Sequence, residues 1–162
     1  MDTKDIMIRL TGRQINKDSG IDDDQIEFVT EAKAYKKGDT TYVVYEEGEM
    51  SGLKNVKTTL RIGDDGEIRM KRFGHDVMMD TVMEFKKGKR FNSIYQTPYG
   101  SFEMEVLTNK VVNDIEPENL TGSLFIDYDI SLKGLSESRS MLNIELFEQP
   151  GGAAEAAPQT AC

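Results

Sequence analysis

The sequence predicts an all-β protein with one closed antiparallel β-barrel of about 8–10 strands. Short segments of alternating apolar and polar residues recur from Ile6-Ile8-Leu10 to Leu142-Ile144-Leu146, with a turn signal between nearly every pair. Hardly any stretch has helical spacing. A sheet with this many antiparallel strands must close on itself or stack, and no fixed repeat indicates a propeller or solenoid.

The first half of the chain contains five predicted strands. They cover residues 5–14, 25–35, 40–47, 56–62 and 68–73. The link from Asn16 to Asp24 is too hydrophilic to pack, so it predicts a long loop after the first strand. Asp64-Asp65-Gly66 predicts a hairpin turn in which the glycine supplies a positive φ angle.

The second half continues the pattern with strands at 79–85, 91–97, 102–108, 124–132 and a closing strand that ends at Phe147. Lys86-Lys87-Gly88-Lys89 and Thr97-Pro98-Tyr99-Gly100 separate the first three of these strands. We therefore assign residues 1–148 to the barrel domain. Residues 149–162 are small and of low complexity, which predicts a flexible tail.

Composition limits the possible partners and the expected location. The chain has 162 residues and a net charge of −9, which opposes binding to nucleic acid or to an anionic membrane. Its single cysteine, Cys162, allows no internal disulfide and no thiolate metal cluster. The sequence shows no apolar leader and no run long enough to span a bilayer. We expect a cytoplasmic protein that needs no cofactor.

Polar side chains share the inward phase of several strands, which is unusual for a dry core. They are Thr30, Thr58, Arg72, Thr81, Ser93, Tyr95, Thr97, Thr108 and Tyr128. A buried polar group without a partner costs about 1–3 kcal/mol. The interior is therefore expected to hold a hydrogen-bond network, ordered water or a ligand.

Arg72 is the most informative of these residues because a guanidinium group keeps its proton inside a protein. Its charge must be met by a carboxylate or by an anionic ligand. One interpretation pairs Arg72 with Glu46 inside the protein or places it at a barrel mouth. The other has Arg72 bind the head group of a small acid within the barrel.

No motif indicates catalysis or a metal site. His75 is the only histidine, so a multi-histidine metal site and a two-histidine relay are excluded, and its Gly-His-Asp setting predicts a solvated turn. Asp22-Asp23-Asp24 lacks the glycine and distal glutamate of a calcium loop. No serine has a nucleophile elbow around it. We expect no catalytic residues and a protein that is not an enzyme.

The chain also resembles the YwiB-like bacterial proteins, a family of unknown function with a calycin-type, lipocalin-like β-barrel. The resemblance spans about Asp5 to Phe147. The residues that carry it include Gly52-Leu53-Lys54-Asn55-Val56-Lys57-Thr58-Thr59-Leu60, Arg72-Phe73-Gly74, Met83-Glu84-Phe85-Lys86-Lys87-Gly88 and Tyr95-Gln96-Thr97-Pro98-Tyr99-Gly100. This resemblance implies the fold and an interior that can hold a small molecule. It implies no activity.

These observations lead to one functional hypothesis, an alternative and a third class. The hypothesis is a non-enzymatic barrel that binds a small apolar or amphipathic acid. Its ligand-binding residues would be Glu46, Arg72, Met83, Phe85, Tyr95, Thr97, Thr108 and Tyr128. The alternative is a solid barrel that docks a protein partner on its outer surface and binds no small molecule. An isomerase or hydrolase would need a buried acid or base, with Glu46 and Glu84 as candidates.

Overall fold

The computed structural model describes residues 3–16, 22–47, 56–74, 81–97, 100–133 and 136–149. These residues form ten β-strands. In chain order they are β1 (Lys4–Asn16), β2 (Asp22–Lys37), β3 (Thr40–Glu47), β4 (Val56–Ile62), β5 (Ile68–Gly74), β6 (Thr81–Phe85), β7 (Arg90–Thr97), β8 (Gly100–Asn113), β9 (Gly122–Leu132) and β10 (Ser136–Glu148). The predicted all-β class and the strand number are confirmed.

All ten strands belong to one antiparallel sheet with the order β6-β5-β4-β3-β2-β1-β10-β9-β8-β7. The pairing of β1 with β10 joins the first and last strands, from Ile6 opposite Glu148 to Asn16 opposite Ser138. The sheet curls so that β6 contacts both β7 and β8. The result is a nearly closed barrel, as the alternating pattern predicts.

The turn between β6 and β7 extends the pairing of β7 with β8 by two hydrogen bonds. The Gly88 N–H donates a hydrogen bond to the Thr108 carbonyl at 2.8 Å, and the Thr108 N–H donates to the Lys89 carbonyl at 3.2 Å. The turn is thus bonded to β8. Among the described residues, no ladder joins β6 to β7.

Two strands, β2 and β8, differ most from their predicted bounds. β2 begins at Asp22, so the three aspartates predicted to lie in a loop belong to a strand that pairs with β1. The predicted bounds of this link are wrong because backbone pairing with β1 offsets the low strand propensity of aspartate. β8 continues to Asn113, past a β-bulge between Thr108 and Lys110 that shifts its register against β9.

The side chains that face inward form one hydrophobic core. The largest fully buried apolar residues are Ile6, Ile8, Val43, Leu60, Ile68, Phe85, Val106, Leu124, Ile126 and Ile144. They come from eight of the ten strands, so burial follows the alternation of each strand. Gly66 has the positive φ predicted for its hairpin, at +88°.

The two ends of the barrel are built differently. The connections β2–β3, β4–β5, β6–β7 and β8–β9 lie at one end, which we call the turn end. The connection from Asp114 to Thr121 folds back there and buries Leu120, which adopts φ +58°. The opposite end, which we call the far end, has connections that lie largely outside the described residues. The predicted tail at 150–162 also lies outside them.

Candidate functional site

A belt of inward-facing polar residues interrupts the apolar core. It consists of Tyr45, Thr58, Arg72, Thr108, Tyr128, Ser138 and Ser140. On one wall Tyr45 pairs with Thr58, which pairs with Arg72. On the opposite wall Thr108 pairs with Tyr128, which pairs with Ser140. Side chains opposite one another in a ladder lie on the same face of the sheet, so each wall has a continuous polar row.

Arg72 and Tyr128 connect the two rows across the interior. Arg72 lies on β5 and is half-buried, two residues before the far end of its strand. Its positive charge acts on Tyr128 of β9, and the Ser140 hydroxyl is hydrogen-bonded to the same phenol. Burial outweighs both effects and raises the pKa of Tyr128 above its ordinary value of 10.0. Tyr128 therefore remains a neutral O–H donor beside a cation.

Thr108 is the other unusual member of the belt. Its side chain is 1% exposed, and its hydroxyl is a buried polar atom without a hydrogen-bond partner in the described part of the chain. It faces the interior beside Tyr128. A hydroxyl in this position costs free energy unless a water or a ligand reaches it.

Below the belt, toward the turn end, the wall is apolar. Phe85 is fully buried and packs on Tyr128 with the ring centroids 4.8 Å apart at 55°. Met83 is 9% exposed and faces the same interior from β6. A ligand at the belt would therefore have polar contacts on one side and apolar contacts on the other.

The structure brings together five of the eight predicted site residues, namely Arg72, Met83, Phe85, Thr108 and Tyr128. Glu46 is not among them. It is exposed and follows the buried Tyr45, so it lies on the outer face, opposite Lys57 of β4. Its predicted position inside the barrel is wrong, because successive side chains of a strand point to opposite faces.

Three further predictions concern residues that the structure describes partly or not at all. The backbones of Tyr95 and Thr97 belong to β7, opposite Phe102 and Gly100. Their side chains lie outside the description. His75 lies outside the described residues altogether.

Sequence reasoning missed Ser138 and Ser140. Both are buried and face inward from β10, and Ser140 completes the row that contains Tyr128. They share the phase of Leu142 and Ile144, so the alternation of the closing strand could have identified them.

A second polar cluster lies on the outer face of the barrel, beside the bulge of β8. Asp127 is 6% exposed and accepts hydrogen bonds from Arg139 Nε at 3.0 Å and Arg139 Nη2 at 2.5 Å. Asn109 donates a longer bond of 3.4 Å. The hydrogen bonds from Arg139 dominate and lower the pKa of Asp127 below its ordinary value of 3.8, although burial opposes them. This cluster joins β8, β9 and β10.

This cluster predicts an acid-sensitive contribution to stability. Because the pKa of Asp127 is lower in the folded state, its contribution is complete above the unfolded pKa of about 3.9 and is lost as the pH falls through the folded value. We expect Asp127→Asn to lower the free energy of unfolding by about 1–3 kcal/mol at neutral pH. The difference from wild type should shrink in acid. Urea unfolding at a series of pH values measures it.

Asp5→Asn is the matched control for this prediction. Asp5 accepts a hydrogen bond from Lys33 at 2.7 Å, but its side chain is 61% exposed. Exposed ion pairs contribute about 0–1 kcal/mol, so little change is expected. Equal losses in the two variants, or a loss in Asp127→Asn that persists unchanged in acid, would contradict the assignment.

Other candidate sites in the described residues are weaker. A groove of about 450 Å³ crosses the outer surface of β7, β8 and β9, and none of the predicted site residues lines it. No group of three histidine, cysteine, aspartate or glutamate side chains within the described ranges could hold a metal ion. In the same ranges no helix has the length and apolar character needed to cross a membrane.

The fold and the site define a ten-stranded antiparallel barrel with a charged, hydroxyl-rich belt inside it. The chain belongs to the family described as Domain of unknown function (DUF1934), whose model matches residues 8–144. It is similar in structure to the ywiB protein from Bacillus subtilis, with a TM-score of 0.72 and 23% sequence identity. That match covers 91% of this chain and 93% of the other and supports the fold alone. No curated protein matches the sequence.

Proposed function

We propose that this protein binds a small amphipathic acid inside the barrel and does not catalyse a reaction. The acid group would lie between Arg72 and Tyr128, and the apolar part would contact Phe85 and Met83. The observation that carries the proposal is the position of Arg72, which faces the neutral phenol of Tyr128 across the interior. A cation and an O–H donor on facing walls suit the two oxygens of a carboxylate.

Two further features support this proposal. The Thr108 hydroxyl is buried beside Tyr128 without a partner among the described residues, and a polar ligand atom would satisfy it. The belt residues Tyr45, Thr58 and Arg72 each lie two residues from the far end of their strands. Leu120 is buried at the turn end. We therefore propose entry from the far end and a ligand too short to extend through the apolar half.

We propose a role without catalysis because the belt residues that the structure describes include no carboxylate and no histidine. The phenol of Tyr128 has a raised pKa, and the other belt hydroxyls belong to Tyr45 and to serine and threonine side chains. Glu84 lies on the outer face, where its carboxylate accepts hydrogen bonds from Arg69. The location proposed for this binding protein is the cytoplasm, where small organic acids are abundant and its single cysteine would remain reduced.

Native mass spectrometry of the protein purified from its own cells tests the proposal. We expect a stoichiometric small acid on the wild type, recoverable by organic extraction, and its loss in Arg72→Ala because the cation is removed. Arg61→Ala is the matched control, since Arg61 lies on β4 but bonds to Tyr42 on the outer face. It should retain the ligand. A bare mass for wild type, or equal loss in both variants, would favour the alternative of a solid interaction module.

The Thr108→Val substitution distinguishes two explanations of the buried hydroxyl. One is a ligand-binding site, and the other is a dry core that is imperfectly packed. Valine has nearly the same shape and lacks the hydroxyl that has no partner. In ligand-free protein the free energy of unfolding should rise, by about 1 kcal/mol, because a desolvated polar group is removed. In the same variant the affinity for the extracted acid should fall. A gain in stability with unchanged affinity would place the ligand away from Thr108.

A further inference from the structure

Thr108 and Arg72 lie at opposite ends of an apolar stretch of the inner wall. Arg72 pairs with Thr81, the first residue of β6, near the far end of the barrel. Met83 and Phe85 follow on β6 and are its buried, inward-facing residues. The turn after Phe85 is bonded to the backbone of Thr108 by two hydrogen bonds. Met83 and Phe85 therefore separate Arg72 from Thr108 along this wall.

Tyr128 does not satisfy the Thr108 hydroxyl, although the two residues are paired across β8 and β9. The Tyr128 phenol is hydrogen-bonded to Ser140 of β10, and β9 lies between β8 and β10 in the sheet. The phenol is therefore directed away from β8. Thr108 is 1% exposed, and its hydroxyl is a buried polar atom without a partner in the described part of the chain. A buried hydroxyl of this kind requires a polar atom from outside the protein.

The surroundings of this hydroxyl suit a ligand atom better than a bound water. A buried water is held by about two to four polar groups. The inward-facing neighbours of Thr108 along β8 are apolar, since Val106 is fully buried and Val111 packs against the core beyond the bulge. The nearest polar side chain across the ladder, Tyr128, is already bonded to Ser140. A water would find few partners here, whereas a ligand oxygen is also held by the rest of its molecule.

We propose that the ligand carries an oxygen atom in its chain, remote from its acid group, and that the Thr108 hydroxyl binds this oxygen. The inference rests on the proposed function and narrows the ligand class to hydroxy or oxo acids. The acid group lies between Arg72 and Tyr128, and the intervening chain contacts Met83 and Phe85. A threonine hydroxyl donates to a ketone oxygen and can donate to or accept from a hydroxyl. A plain fatty acid would leave the Thr108 hydroxyl without a partner.

Isothermal titration calorimetry tests this assignment on the full chain, freed of any bound acid by unfolding and refolding. The probes are three acids of equal length, namely octanoate, 2-oxooctanoate and 7-oxooctanoate. Wild type is expected to bind 7-oxooctanoate about five- to tenfold more tightly than octanoate, because one additional hydrogen bond forms at Thr108. For 2-oxooctanoate no such gain is expected, because its ketone lies beside the carboxylate. The position of the oxygen in the chain, and not its mere presence, should decide the affinity.

Two variants of Thr108 assign the preference to its hydroxyl. Thr108→Val should abolish the preference for 7-oxooctanoate over octanoate, and Thr108→Ser, which keeps the hydroxyl, should retain it. Circular dichroism spectra and melting temperatures check that both variants fold. A preference that persists in Thr108→Val would overturn the inference.

Equal affinities of wild type for octanoate and 7-oxooctanoate would also overturn the inference. In that case, loss of octanoate binding in Arg72→Ala would show that the proposed function stands without it. Octanoate binding retained in Arg72→Ala, or a wild type that binds none of the three acids, would contradict the proposed function and this inference together.

Discussion

Gly122→Ala is expected to lower the free energy of unfolding by roughly 2–5 kcal/mol. Gly122 is the first residue of β9 and has φ +136°, a conformation that residues with a Cβ rarely adopt. An added Cβ would collide with the Asp114 carbonyl and lie 2.9 Å from the Ile115 Cα. These are main-chain atoms, so no change of side-chain rotamer relieves the contact. Urea unfolding compares the variant with wild type.

Gly12→Ala provides the control for the same substitution. Gly12 lies on β1, and a Cβ there would meet only Leu142 Cδ1 at 3.8 Å, an ordinary contact. Alanine also restricts the unfolded chain, which stabilises the folded state by about 0.4–1 kcal/mol at compatible positions. We therefore expect no loss at Gly12. A small effect at Gly122 would mean that the connection from Asp114 to Thr121 is not held against β9 as described.

Phe85→Ala is expected to lower the free energy of unfolding by about 3–5 kcal/mol, as truncation of a buried aromatic residue usually does. Phe85 is fully buried at the end of β6 and packs on Tyr128. The substitution leaves a cavity on β6, whose one ladder partner among the described residues is β5. Thermal and urea unfolding both measure the loss.

Phe73→Ala is the matched control for Phe85. Phe73 lies on β5 and is 37% exposed, with the Lys71 ammonium 4.7 Å from its ring centroid. Exposed cation–π contacts contribute about 0.5–1 kcal/mol, so a small loss is expected. If Phe85→Ala were no more destabilising than Phe73→Ala, the inner position of Phe85 would be wrong.

Most of the fold could be predicted because each strand has alternating chemistry. The inward phase of Ile68, Met70 and Arg72 on β5 follows from residue order alone, and the structure confirms it. The pairing of strands that are distant in the sequence could not be predicted in this way. Nothing in the alternation specifies that β1 pairs with β10, or that β6 and β7 meet without a ladder, because period-two patterns suit any antiparallel neighbour.

The candidate site could be predicted only in part for the same reason. Thr108 and Tyr128 are in phase on their own strands, and their adjacency depends on the register between β8 and β9. That register shifts at the bulge between Thr108 and Lys110, which leaves no sequence signal. Glu46 was misplaced because its charge suggested a partner for Arg72, whereas its position after Tyr45 requires the outer face.

The order of the strands also has a consequence for folding kinetics. The sheet consists of two meanders, β1 to β6 and β7 to β10, in which every ladder joins neighbours in the chain. Within the described ranges, only the ladder between β1 and β10 joins distant residues, such as Ile8 and Leu146. The loop-closure entropy of the whole chain is therefore concentrated in one pairing event. Each meander can form locally, and the barrel is complete only when the first and last strands meet.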